Sequence, residues 1–186
     1  MKLYVKNMIC LRCKILVKDV LSQIGINLVK VELGEIEIAE SISVSQRHQI
    51  DMALRKSGLE LIDDKKSILI QKIKSVIIEL VHYSEKPLIN NLSSYLSQQL
   101  DYDYTYLSNL FSEVNGATIE KFFISHKIER VKELLVYDEL TLTEIARRMR
   151  YSSLSHLSAQ FKKVTGLTVS HFKKLKDKRR SMLEDL

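Results

Sequence analysis

An internal repeat in the C-terminal half constrains the fold of this 186-residue chain more than any other feature of the sequence. Seven residues recur unchanged 50 positions later: Leu107, Ser108, Phe111, Val114, Gly116, Thr118 and Phe122 match Leu157, Ser158, Phe161, Val164, Gly166, Thr168 and Phe172. Upstream the offset is 49, where Leu96, Ser97, Leu100 and Tyr102 match Ile145, Ala146, Met149 and Tyr151. A turn absorbs such a one-residue slip, so the chain is predicted to contain two copies of one supersecondary unit.

Each copy is predicted to be a helix, a short turn and a second helix. Thr141 and Glu144 have the spacing of a capping box, and Gly116 and Gly166 stand where the second helices should end. The spacing of apolar residues predicts one buried stripe on each second helix. Its members are Leu107, Leu110, Phe111 and Val114 in the first copy, and Leu154, Leu157, Phe161 and Val164 in the second.

The opposite faces of the second helices should be exposed, and they carry short polar side chains near the helix N-terminus. Such side chains suit a helix that lies in the major groove of double-stranded DNA. The candidate base-reading residues are Tyr104, Thr105, Ser108 and Asn109 in the first copy, and Ser153, Ser155, His156, Ala159 and Gln160 in the second. For any one of these residues, ordinary protein surface is the alternative interpretation.

Positive charge is concentrated in the second copy. Residues 141–180 contain 11 Lys and Arg against 2 Asp and Glu, whereas residues 84–140 contain 5 against 9. Such a block favours a polyanionic partner, although a solvated helix face with a basic tail explains the charge as well. The candidate phosphate contacts are Arg147, Arg148, Lys162, Lys163, Lys173 and Lys174.

Between the copies, residues 118–137 are predicted to form one amphipathic helix. At this length the helix would span about 30 Å, close to the roughly 34 Å between successive major-groove faces of B-DNA. Such a rod would place two recognition helices in adjacent grooves on one side of the duplex.

Residues 84–180 resemble the AraC-type DNA-binding domain, in which a long helix joins two helix-turn-helix units. The similar segments are KIERVKELL at 127–135, TEIA at 143–146, YSS at 151–153, SHL at 155–157 and FKKVTG at 161–166. The resemblance implies sequence-specific DNA binding and transcriptional control. Arg150 departs from the family's usual glycine in the second turn, and Asn109 and Ala159 replace its frequent Arg or Gln.

The first 64 residues follow a different pattern. Alternating apolar residues predict strands at 2–7, 28–33, 35–39 and 59–62, and helical spacing predicts helices at 13–24 and 45–57. This βαββαβ order is that of a ferredoxin-like domain. The predicted fold class is therefore α+β, with a ferredoxin-like N-terminal domain followed by an all-α double helix-turn-helix domain.

Both cysteines lie in the MICLRC segment at 8–13, between the first predicted strand and helix. Two thiolates at a helix N-terminus suit Cu(I), whereas Zn²⁺ normally takes four ligands. The segment resembles the metal-binding loop of the heavy-metal-associated domain of copper chaperones. The resemblance implies that Cys10 and Cys13 hold Cu(I) or another soft metal ion, with Met8 in the core. Asn7 and Leu59 depart from its usual glycine and aromatic residue. A redox pair and a purely structural role are the alternatives.

Residues 64–83 are predicted to form a helix whose apolar residues Leu69, Ile73, Val76 and Leu80 follow a heptad pattern. The helix is interpreted either as a connector packed on its own domains or as part of a homodimer interface. The predicted divisions are 1–64, a connecting helix at 65–83, the double helix-turn-helix domain at 84–180 and a tail at 181–186.

We therefore expect a cytoplasmic, non-enzymatic regulator that binds double-stranded DNA and possesses no membrane span, since no run approaches the roughly 18 apolar residues of such a segment. The five histidines, His48, His82, His126, His156 and His171, show no catalytic or metal-ligand pattern. The alternatives are a copper chaperone and a regulator whose N-terminal domain only dimerises.

Overall fold

The structure, a computed structural model, describes residues 1–84, 91–137 and 139–175. These residues form two compact units, one covering Met1–Ala117 and the other beginning at Thr118. The division between them falls after the first repeat copy, whereas the sequence-based boundaries lie at 64 and 84. The tail at 181–186 lies outside the described residues.

The first unit begins with a small antiparallel sheet covered by helices, so the predicted mixed α+β character is confirmed. Strand β1 (Lys2–Lys6) is followed by helix α1 (Leu11–Gln23), then by β2 (Leu28–Glu32), β3 (Glu35–Ile38), α2 (Val44–Arg55) and β4 (Glu60–Ile62). The strands are ordered β2-β3-β1-β4, and each neighbouring pair is antiparallel. In this register Leu3 lies opposite Ile36, and Val5 lies opposite Leu61.

Alternation along the strands places one apolar face against α1 and α2. Leu3 and Val5 of β1 are buried, as are Ile36 and Ile38 of β3, whereas the residues between them are more exposed. The helices contribute Val17, Leu21, Ile50 and Leu54 to the same core. Fully burying one such side chain stabilises the fold by about 1.5–3 kcal/mol.

Helix α3 (Lys65–His82) packs against both the sheet and the first repeat copy. It packs against β1, and also against α4 (Leu92–Leu100) and α5 (Tyr104–Asn115). Because Leu69, Ile73 and Leu80 are buried within the chain and Val76 is half-buried, the heptad seam supports the connector interpretation. The dimer interpretation of this helix needed the seam to be exposed.

The turn between β2 and β3 meets α3 at Gly34. A Cβ atom at Gly34 would lie 2.8 Å from Gln71 Cγ and 2.9 Å from Ser75 Oγ, and the φ angle there is +78°. Gln71 Nε2 donates a hydrogen bond to Ser75 Oγ at 3.2 Å, and both residues are buried. Gly34 therefore allows the hairpin to touch α3 directly.

Replacing Gly34 by alanine is expected to destabilise the first unit by about 2–4 kcal/mol, measured by urea unfolding. Part of the loss, about 1–2 kcal/mol, is the cost of an L-residue with a left-handed backbone. The rest comes from overpacking against α3. Gly25→Ala is the matched control, because Gly25 has a φ angle of +74° and nothing within 4 Å of its Cβ position. Equal losses for the two variants would show that the contact with α3 contributes nothing.

The second unit is built from the second repeat copy and the helix before it. It contains α6 (Ile119–Tyr137), α7 (Leu142–Arg148) and α8 (Leu154–Thr165), and residues 169–175 are also helical. Helix α6 packs on α7 and α8 as α3 packs on α4 and α5. In each copy, the helix that precedes the helix-turn-helix packs against both of its helices. The sequence did not predict this contact for α3. None of the described helices is both long and apolar enough to cross a membrane.

The turns of the two copies share an uncommon backbone conformation. Asp101 and Arg150, at matched positions, have left-handed φ angles of 57° and 55°. The second turn is one residue longer, since α5 and α8 are capped by Asp103 and Ser153. The slip in the repeat therefore falls at Ser152. The capping box of Thr141 and Glu144 is confirmed.

The predicted buried stripes are only partly confirmed. Leu107, Leu110, Phe111, Leu157 and Phe161 are buried as expected. The prediction was wrong for Val114, Leu154 and Val164, which are 54%, 41% and 42% exposed. These three lie in the first or last turn of their helices, where the neighbouring helices do not cover them.

Candidate functional site

The exposed faces of α5 and α8 carry most of the predicted base-reading residues. On α5, Thr105 and Asn109 are exposed, and Tyr104 and Ser108 are half-buried. On α8, Ser155, His156 and Ala159 are exposed. Ser153 is exposed too, but its Oγ accepts a hydrogen bond from the His156 backbone N–H at 3.1 Å and so caps the helix. Gln160 is half-buried.

The N-termini of these two helices differ in charge. The Asp103 carboxylate caps α5 by accepting hydrogen bonds from Thr105 N at 2.8 Å and Tyr106 N at 3.3 Å. The bonds from the Tyr106 backbone and from Thr105 hold the pKa of Asp103 below its usual range. The matched cap of α8, Ser153, is neutral. The end of α5 is therefore anionic, which disfavours approach of a phosphate backbone, and the end of α8 is not.

The turns repeat this contrast, because Asp101 in the first copy corresponds to the exposed Arg150 in the second. Further basic side chains surround α8. Arg147 and Arg148 are exposed in the last turn of α7, and Lys162 and Lys163 are exposed in the last turn of α8. Lys174 is exposed and Lys173 is half-buried.

Two of the four Lys and Arg residues of α6 form ion pairs, unlike those of α8. Arg130 pairs with Glu133 and Lys132 pairs with Glu129, each at 2.7 Å. Within the part of the chain that the structure describes, Lys162 and Lys163 have no such carboxylate neighbour. The cationic surface of the second unit is thus centred on α7 and α8.

A polar cluster around Tyr151 was missed by sequence analysis. The Tyr151 hydroxyl donates a hydrogen bond to Gln160 Oε1 at 2.7 Å. The ring of His156 meets the Tyr151 ring edge-on at 5.3 Å, and Lys127 Nζ of α6 lies 4.0 Å from the centre of the Tyr151 ring. The only sequence signal was the match of Tyr151 to Tyr102, which does not reveal these partners.

Burial shifts the pKa values of two members of this cluster. Desolvation raises the pKa of Tyr151 to about 12, so its hydroxyl remains a donor at neutral pH. Desolvation, with a contribution from the charge of Arg150, lowers the pKa of Lys127 to about 8. The contact with the face of the Tyr151 ring favours the charged form of Lys127.

The two cysteines stand at the N-terminus of α1, with Cys10 as its N-cap. Their sulfur atoms are 3.3 Å apart, both thiols are free, and both side chains are half-buried. Met8 is fully buried beneath them, as expected. Asn7, which replaces the glycine of the resembled loop, has a left-handed φ of 65° and donates a hydrogen bond from Nδ2 to Gly58 O at 3.1 Å.

The two thiols are not equivalent. Desolvation raises the pKa of Cys10, but hydrogen bonds from the backbone and side chain of Cys13 outweigh it, so the pKa lies below its ordinary value. Desolvation and the hydrogen bond to Cys10 raise the pKa of Cys13. Cys10 therefore loses its proton first, with Cys13 as donor. No group of three or more His, Cys, Asp or Glu side chains that could hold a metal ion occurs among the described residues.

Comparison with known families identifies the C-terminal helices. Residues 96–175 match the family model of a helix-turn-helix domain, HTH_18. This region is a helix-turn-helix domain of the AraC type. It includes both repeat copies from Leu96 onward, and thus α5, α6, α7 and α8. The match agrees with the predicted helix-turn-helix units.

Two known proteins are similar to this chain. An HTH-type transcriptional regulator of Bacillus subtilis (strain 168), YtdP, is 22% identical over 106 residues, which are 57% of this chain and 14% of YtdP. The chain therefore spans about one seventh of that relative. The C-terminal domain of AraT, a response regulator from Geobacillus stearothermophilus, has a TM-score of 0.50 and 22% identity over 60% of this chain and 88% of that domain. This likeness shows a shared fold.

Proposed function

We propose that the chain is a sequence-specific transcription regulator that contacts double-stranded DNA mainly through its second unit. The observation that carries this proposal is the charge difference between matched positions of the two copies. Asp101 and Asp103 of the first copy correspond to Arg150 and Ser153 of the second. In the second copy, cationic side chains on α7 and α8 accompany the exposed Ser155, His156 and Ala159. Phosphate attraction and base contacts are then supplied by one surface.

Selection of bound fragments from a random pool of double-stranded DNA, at a stated salt concentration, tests this proposal. We expect enrichment of a defined sequence, and binding to that sequence at least about 100-fold tighter than to a shuffled control. Binding that is equally strong on all sequences, or undetectable at about 50 mM salt, would contradict it.

We further propose that the N-terminal domain, whose strand order supports a ferredoxin-like fold, holds a soft metal ion between Cys10 and Cys13. Two adjacent thiols, with no third ligand nearby among the described residues, fit Cu(I), which soft thiolate ligands favour, better than Zn²⁺, which normally takes four protein ligands. The lowered pKa of Cys10 favours the thiolate, which is the form that binds metal. A bound ion would affect the end of α1, and α3 connects the sheet to α4 and α5 within the same unit.

The double variant Cys10→Ser/Cys13→Ser is expected to lose Cu(I) binding while keeping DNA binding in the absence of metal. Competition against a chromophoric Cu(I) chelator measures the first property, and gel shift on the selected sequence measures the second. In the unchanged chain, Cu(I) should alter DNA affinity by about 5- to 150-fold.

Other outcomes separate the remaining interpretations. Cu(I) binding without any effect on DNA affinity would favour a chaperone-like role. A disulfide that forms under mild oxidation and changes DNA affinity, without Cu(I) binding, would favour redox sensing. If neither treatment has an effect and the chain is dimeric, the N-terminal domain serves dimerisation.

A further inference from the structure

The amine of Lys127, on α6, lies close to two aromatic rings and has no acidic partner. Its Nζ is 4.0 Å from the centre of the Tyr151 ring and 5.6 Å from that of the Phe123 ring. Within the parts of the chain that the structure describes, Lys127 forms no ion pair with a carboxylate, whereas Lys132 of the same helix pairs with Glu129. Lys127 is half-buried, so its side chain is desolvated without being sealed from small molecules.

This environment favours the neutral form of the amine, which is the form with a lone pair that can attack an electrophile. Desolvation, with a contribution from the charge of Arg150, lowers the pKa of Lys127 to about 8. At pH 8 such a pKa would leave about half of the Lys127 amines neutral, about 150-fold more than for an ordinary lysine. The face of the Tyr151 ring opposes part of this effect, because it favours the cation.

The charge next to Lys127 favours one class of electrophile. Arg150, in the turn that follows α7, is exposed, and its positive charge acts on the Lys127 amine. A cation beside the nucleophile attracts an anionic reagent. Acyl phosphates are anionic acyl donors, and a guanidinium suits their phosphate group. A neutral acyl ester would gain nothing from Arg150.

We propose that Lys127 is a site of acylation by acyl phosphates, and that Arg150 attracts the phosphate group of the donor. The neutral Nζ attacks the carbonyl carbon of the donor, an amide C–N bond forms, and the C–O bond to phosphate breaks. Phosphate leaves with the electron pair of that bond, and the amine releases one proton to solvent. The amide is uncharged, so acylation removes the cation from the face of the Tyr151 ring, just before the Ser153 cap of α8.

Treatment of the full chain with acetyl phosphate at about pH 8, followed by peptide mass spectrometry, tests this inference. Lys127 should be acetylated about tenfold faster than Lys162 and Lys163, which are exposed in the same unit. This figure is lower than the ratio of neutral amines because the Tyr151 ring favours the cation. The rate at Lys127 should level off below about pH 9.5, lower than the value of about 10.4 expected for an ordinary lysine.

Arg150→Gly tests the role of the guanidinium, because glycine readily adopts the left-handed φ of 55° at this position. The rate with acetyl phosphate is divided by the rate with a neutral N-hydroxysuccinimide acetyl ester, so that any change in the reactivity of the amine itself cancels. This ratio should fall about fivefold at Lys127 in the variant.

The inference is overturned if Lys127 of the unchanged chain reacts no faster than Lys162 and Lys163, or if the ratio of the two rates is the same in Arg150→Gly. Neither measurement involves DNA, so its outcome is independent of the proposed function.

Discussion

The double variant Lys162→Gln/Lys163→Gln is expected to bind DNA about 50-fold more weakly than the unchanged chain in about 0.1 M salt. Each lysine that neutralises a phosphate adds about 0.9 to the slope of log affinity against log salt. Losing two such contacts should lower that slope by about 1.8. Both lysines are exposed in the last turn of α8 and lack a carboxylate partner among the described residues, so their charge is available to a phosphate. Fluorescence anisotropy at several salt concentrations measures both quantities.

A control with the same loss of charge separates local contact from overall attraction. Lys18 of α1 and Lys56, which follows α2, are exposed in the first unit. Lys18→Gln/Lys56→Gln removes the same charge from the first unit, and it should weaken binding only slightly if DNA is contacted mainly through the second unit. If both double variants lose the same affinity, α8 has no special role in DNA binding.

Phe161→Ala is expected to destabilise the second unit by about 3–5 kcal/mol and to abolish DNA binding with it. The Phe161 side chain is fully buried and packs edge-on against Phe172, with ring centres 5.6 Å apart. Removing the ring leaves a cavity between helices that form most of this small core. Urea unfolding followed by circular dichroism should show an early transition that the unchanged chain lacks.

Leu154→Ala and Val164→Ala are the controls for this experiment. Both lie on the same helix and were expected from sequence to be buried, but they are 41% and 42% exposed. Each should cost less than about 1 kcal/mol, as for surface substitutions. A loss as large as that of Phe161→Ala at either position would contradict the burial that the structure assigns to α8.

The sequence predicted the elements well where periodicity, capping and glycine agreed. The capping box at Thr141 and the offset repeat were sufficient to locate α7 and α8 along the chain. The predictions failed at the ends of α5 and α8, because apolar spacing does not show how far a neighbouring helix extends over the stripe. Val114 and Val164 continue the pattern past the point where α5 and α8 are covered.

The contacts of Tyr151 illustrate a second limit. Gln160 has the spacing of an exposed residue, yet its amide is held by a tyrosine nine positions earlier in the chain. The sequence placed Lys127 in the helix between the two copies and predicted no contact for it, although its Nζ lies over the Tyr151 ring. Such partners are set by how α6 crosses the turn, which depends on tertiary packing and leaves no local pattern in the sequence.

Because α3 contacts both the sheet and the first repeat copy, it limits where this chain can be joined to a different N-terminal domain. One side of α3 packs against α4 and α5 of the first repeat copy, and another side contacts the β2–β3 hairpin at Gly34. Joining a different N-terminal domain to the helix-turn-helix helices would therefore have to retain α3 and replace only what precedes Lys65. The new domain would also need a glycine where it contacts Gln71 and Ser75 of α3.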